Sequence, residues 1–198
     1  MGYLVVGCRV LVGTVFAIAV VGKIRGTVPL RAFVRSLGDL ASVPRRLRPV
    51  VAAAVLLCEA AVPVLLALPG TAPAGLGLAG AVLATFTVAL GRAWRRGVRE
   101  PCRCFGAGAA PLSRAQVVRN GLLTTIAAAG LAAALRWPAP SAPGAGAAAA
   151  GIALAALAGV IAAMVLIRLD DIVALFAPSA PQLVPTGSRR AAPERSIR

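Results

Sequence analysis

Hydrophobic residues run along this chain in blocks long enough to cross a bilayer, separated by short charged or Pro/Gly-rich breaks. A spanning helix needs about 20 mostly apolar residues. Blocks of this kind lie at about residues 3–22, 47–68, 74–91, 116–136 and 147–167. The first starts close to Met1 without a basic lead and runs to Lys23 without a small-residue cleavage site, so it reads as a retained span. The second contains Pro63, a candidate kink. The fourth is the weakest, because its purely apolar part covers only residues 121–135. Ser113-x-x-Gln116 fits a capping box just before it, and Trp137 fits an interfacial anchor after it. The pattern therefore predicts four to five spans.

Between the first two blocks the periodicity changes. Leu30, Phe33, Val34 and Leu37 recur at helical spacing, with Arg31 and Arg35 off that face. This predicts a short amphipathic helix lying in the membrane interface, ended by Ser42-Val43-Pro44.

Composition agrees with lipid as the solvent. Of 198 residues, 59% are hydrophobic and 14% charged, against roughly 45–50% and about 25% in soluble domains. The fold class expected is an all-α polytopic transmembrane bundle over residues 1–168. A basic, Pro-containing tail follows at residues 169–198 and is expected to be disordered. The dominance of Ala and Gly weakens any reading of small-residue patterns such as Gly151 to Gly159 as packing motifs.

Net charge is +15. The arginines lie between apolar blocks without interleaved aromatics, which argues for anchoring beside anionic lipid and against nucleic acid. With five spans, all Lys and Arg except Arg9 and Arg136 fall on one side of the membrane. That asymmetry places the amino terminus outside the plasma membrane, and the carboxyl terminus and the 92–119 loop region in the cytoplasm.

The chain has no histidine, which removes imidazole catalysis and Cys/His zinc sites. No metal and no cofactor is expected. Candidate chemistry centres on Cys102 and Cys104. Arg99, Arg103, Arg114 and Arg119 are close in sequence and a capped helix start follows, and both features favour a thiolate. Arg119 and Asn120 are expected to support the pair if the loop folds back, Asn120 by hydrogen bonding its backbone or a thiolate. Arg9 and Glu59 are polar residues within spans and are expected to pair if their helices are neighbours. Cys8 and Cys58 are either small buried hydrophobes or a second thiol pair. Lys23 reads as a snorkelling anchor.

Several of these residues together resemble the methylamine-utilisation MauE family, within the wider DoxX-like group of small membrane proteins. The resemblance rests on Arg9, the 16–23 stretch, Glu59, Cys102-Arg103-Cys104-Phe105-Gly106, Pro111-Leu112-Ser113 and Val118-Arg119-Asn120, and covers roughly residues 5–125. It implies a membrane protein associated with redox or disulfide handling, tied to maturation of methylamine dehydrogenase. Under it the family's thiol motif falls on Cys102 and Cys104, its acidic span residue on Glu59, and its Arg-Asn on Arg119 and Asn120.

The expected function is thus thiol–disulfide handling with a thioredoxin-like or other membrane redox partner. Two alternatives stay open: a non-enzymatic assembly factor or scaffold, and a small-molecule carrier built on an intramembrane Arg9/Glu59 pair. Self-association into a homo-oligomer is compatible with all three.

Overall fold

The computed structural model describes residues 2–41, 43–97, 114–137 and 147–169. They form six helices and, among the described residues, no strand: α1 Gly2–Ile24, α2 Thr27–Ala41, α3 Arg48–Ala67, α4 Ala72–Arg95, α5 Arg114–Arg136 and α6 Ala147–Ile167. All except α2 are long and apolar enough to cross a membrane. The protein is a multi-pass helical membrane protein.

The hub is α1, which packs against α3, α5 and α6, while α4 and α5 form the most extensive pair. Cys8, Val12, Val15, Phe16, Ala19 and Lys23 are buried along α1. They recur every three or four residues, so they share one face of the helix. Val62 of α3, Leu83 of α4, Leu123 and Ala127 of α5, and Ala163 of α6 close around that face.

In lipid, helices gain little from hydrophobicity alone, so small residues that let backbones approach become important. Gly159 of α6 sits against α1: a Cβ there would lie 2.8 Å from the Gly7 carbonyl oxygen. The Tyr3 ring occupies the space beside Gly151. The Gly151-to-Gly159 spacing, discounted on composition, is therefore part of the α1–α6 contact.

The α3–α4 connection is short because it is capped tightly. Gly70 adopts φ +79°, a left-handed conformation natural to glycine. The Thr71 hydroxyl donates back to the carbonyls of Leu65 and Leu68, and Pro73 stands in the first turn of α4.

At 15 residues, α2 reaches about 22 Å at 1.5 Å per residue, short of a span. Its apolar face is not left to lipid. Phe33 and Leu37 are buried against Ala52 of α3, flanked by Val51, Val55 and Leu56. This amphipathic helix thus packs on α1, α3 and α4.

Candidate functional site

Inside the bundle, among the described residues, lies a buried ion pair. Lys23 Nζ lies 2.6 Å from both Oε1 and Oε2 of Glu59, with both side chains almost wholly buried. Helical side chains tilt toward the amino terminus of their own helix. Lys23, one residue before the end of α1, therefore reaches back into the bundle, and Glu59 of antiparallel α3 reaches toward it. The Phe33 ring of α2 covers the ammonium at 4.8 Å from ring centroid to Nζ, a cation–π contact. Four residues after Glu59, Pro63 lacks the N–H that would bond the Glu59 carbonyl, so the backbone there is polar as well.

The structure corrects the expected Arg9–Glu59 pair. Arg9 Nε donates to the Leu66 carbonyl at 3.0 Å, and its Nη2 donates to the carbonyls of Leu66 and Leu68. These carbonyls belong to the last turn of α3 and to its C-cap, Leu68, where acceptors have no intrahelical donors and positive charge is favoured. The reason is register. Arg9 and Lys23 are separated by about 21 Å along α1 at 1.5 Å per residue, and Lys23 is the one level with the Glu59 carboxylate. Sequence reasoning missed Lys23 as a site residue and treated it as an anchor. The available signal was its place on the Cys8–Val12–Val15–Ala19 stripe, which points inward.

A second polar cluster lies in the first turns of α5. Gln116, Arg119 and Asn120 are buried, Asn120 at 1% exposure. Gln116 Oε1 and both polar atoms of the Asn120 amide have no hydrogen-bond partner among the described residues. Buried amides are rarely left so, and each open donor or acceptor costs about 1–3 kcal/mol. One turn on, the Thr124 hydroxyl donates to the Asn120 carbonyl at 2.8 Å and stands 3.5 Å from the Thr87 hydroxyl of α4. The sequence places Arg119 and Asn120 near the Cys-x-Cys segment and Gln116 in a capping box; the burial of all three is a feature of the structure.

Cys102 and Cys104 lie outside the described residues. Cys8 and Cys58 are free thiols. Cys8 is buried and packs on α5, where a Cβ at Gly130 would meet its Cβ at 2.9 Å. Cys58 is half-buried on α3. The structure does not join the two.

The family model for methylamine utilisation protein MauE matches residues 1–133. The chain belongs to the MauE family. The match takes in α1 to α4, all but the end of α5, and therefore both polar clusters, and it stops before α6. No curated protein and no solved structure matches the chain. Within this MauE-family bundle, the arrangement offers a closed cation–carboxylate pair under α2 and, at the start of α5, buried Gln116 and Asn120 amides with atoms unpartnered among the described residues.

Proposed function

We propose that this MauE-family protein is a membrane thiol–disulfide protein acting through Cys102 and Cys104 in maturation of partner proteins. The observation that supports this most is the open amide of Asn120, buried with Gln116 and Arg119. These residues stand in the first two turns of the helix that follows the Cys-x-Cys segment in the sequence. Donors and acceptors with no partner among the described residues, near a helix amino terminus, suit a thiolate or the backbone that carries it.

The step runs as thiol–disulfide exchange. One thiolate of the pair attacks a partner's disulfide, forming a mixed disulfide and releasing a partner thiolate. The second thiolate attacks the first cysteine's sulfur, closing Cys102–Cys104 and leaving the partner reduced by two electrons. A thioredoxin-like dithiol returns those electrons. The lopsided Lys and Arg distribution supports a cytoplasmic position for this pair, with the amino terminus outside. The family's connection with methylamine utilisation makes an amine-oxidising enzyme with disulfides a fitting beneficiary.

The test is trapping. Cys104→Ser should accumulate mixed disulfides through Cys102, or Cys102→Ser through Cys104. Absence of any trapped partner in both variants, with full activity in the double variant, would leave the assembly-factor reading in its place.

The carrier reading is favoured by a different observation, the buried Lys23–Glu59 pair. Under it, Glu59→Gln abolishes transport while thiol trapping is unchanged.

A further inference from the structure

We propose that the face of α1 between α3 and α6 is a binding site for one anionic glycerophospholipid, with its phosphate on Arg9.

A groove of about 550 Å³ runs along α1, walled by Pro63 and Leu66 of α3 and by Ile152 and Ala156 of α6. Among the described residues, Arg9 is its only charged lining residue and Thr14 the other polar one. A second cavity of about 230 Å³ lies on the other side of Arg9, at the rim formed by Gly70, Pro73 and Trp137. Val6 and Arg9 line both cavities, so the two adjoin at this turn of α1.

Arg9 carries a charge that the described residues do not balance. Its Nε and Nη2 bond neutral carbonyls of α3, and no carboxylate pairs with it among the described residues. A cation at the edge of an apolar groove is costly without a counter-charge. The guanidinium fork fits phosphate oxygens and leaves donors beyond those committed to Leu66 and Leu68.

The cavity on each side of Arg9 then has a chemical meaning. The larger one is apolar, extends from the cation along the helices, and falls in the range of about 300–1,000 Å³ that holds small molecules. An acyl chain fits it. The smaller one sits beside Trp137 at the rim, where indoles favour the headgroup level, and receives the polar headgroup. Soluble phosphate would satisfy Arg9 but leave the apolar groove unfilled, so a phospholipid is the occupant that uses both halves. The leaflet is the one facing the amino-terminal end of α1.

The experiment uses the full chain, purified in detergent and stripped of lipid, then titrated with phosphatidylglycerol or phosphatidylcholine of identical chains and read by native mass spectrometry. Wild type should bind phosphatidylglycerol about tenfold more tightly than phosphatidylcholine, the scale of a charge-assisted contact. Arg9→Gln should bring the two within about twofold, whereas Arg136→Gln, outside both cavities, should keep the preference. Ala156→Phe fills the groove without touching the cation and should weaken both lipids about tenfold, with helix content unchanged. It keeps the test decisive if Arg9→Gln does not fold. Equal affinities in wild type, or a preference that survives Arg9→Gln, overturn the proposal. So does a dimer dissolved by Ala156→Phe, which would show a second copy in the groove.

Discussion

Lys23 and Glu59 form a closed ion pair, Nζ to carboxylate oxygen 2.6 Å, joining the end of α1 to the middle of α3 beneath the Phe33 ring. The pair ties three helices together at one point. Two full charges are taken out of water there, and their mutual attraction offsets that cost only while both are present.

Removing one partner strands the other. Lys23→Met or Glu59→Met alone should destabilise the bundle by about 3–5 kcal/mol, while the double variant should recover most of the loss. Reversible unfolding in detergent of the four proteins of this cycle gives the coupling directly. Additive single effects would mean that the pair does not hold the helices together.

The all-helical membrane fold was legible in the sequence because bilayer thickness imposes a length on each apolar block. The amphipathic character of α2 was legible from Leu30, Phe33, Val34 and Leu37; its docking on α3 was not, because one helical face fits a headgroup layer or a neighbouring helix equally well. The partner of Glu59 was misread for a related reason. Choosing between Arg9 and Lys23 requires the vertical register of α1 against α3, and hydropathy does not carry register. The buried face of α1 carries it in part, since Lys23 falls on the same stripe as Val12 and Ala19. Composition hid the role of Gly159, because a chain with 21 glycines offers many equally plausible spacings.

The cover over the ion pair has its own signature. Phe33→Leu keeps an apolar side chain but removes the ring face from Lys23, and should cost about 1 kcal/mol through the cation–π contact. Phe33→Ala also opens a cavity against Leu37 and Ala52 and should cost about 3–5 kcal/mol. Thermal unfolding of both variants in the Glu59→Met/Lys23→Met background checks the assignment: the Leu variant should lose its effect there and the Ala variant should keep most of it.

The α1–α6 contact depends on the missing side chain at Gly159. Gly159→Val pushes bulk into the Gly7 carbonyl and should separate the helices, at a cost of about 1–3 kcal/mol. Cysteine pairs placed across α1 and α6 should cross-link in the parent and fail to do so in the variant. Unchanged cross-linking would show that α6 does not sit where this contact places it.

Asn120 separates function from stability. An amide buried without partners among the described residues is a burden on their packing, so Asn120→Leu should leave stability unchanged or raise it by about 1 kcal/mol. If the amide serves the Cys102/Cys104 thiols, the same variant should slow their alkylation at neutral pH. Loss of stability with unaltered thiol reactivity would assign Asn120 a structural role.

The proposed redox unit is a cytoplasm-facing dithiol, Cys102 and Cys104, that opens and closes as a pair. It is tested most directly in intact cells expressing a Cys8→Ser/Cys58→Ser variant, by alkylating with an impermeant and then a permeant maleimide, before and after mild oxidant. No labelling of Cys102 and Cys104 is expected from outside, and labelling of both is expected once reagent enters. After oxidant, both labels should be lost together and return with reductant. Labelling by the impermeant reagent in sealed cells, or two thiols that stay independently reactive after oxidant, would contradict it.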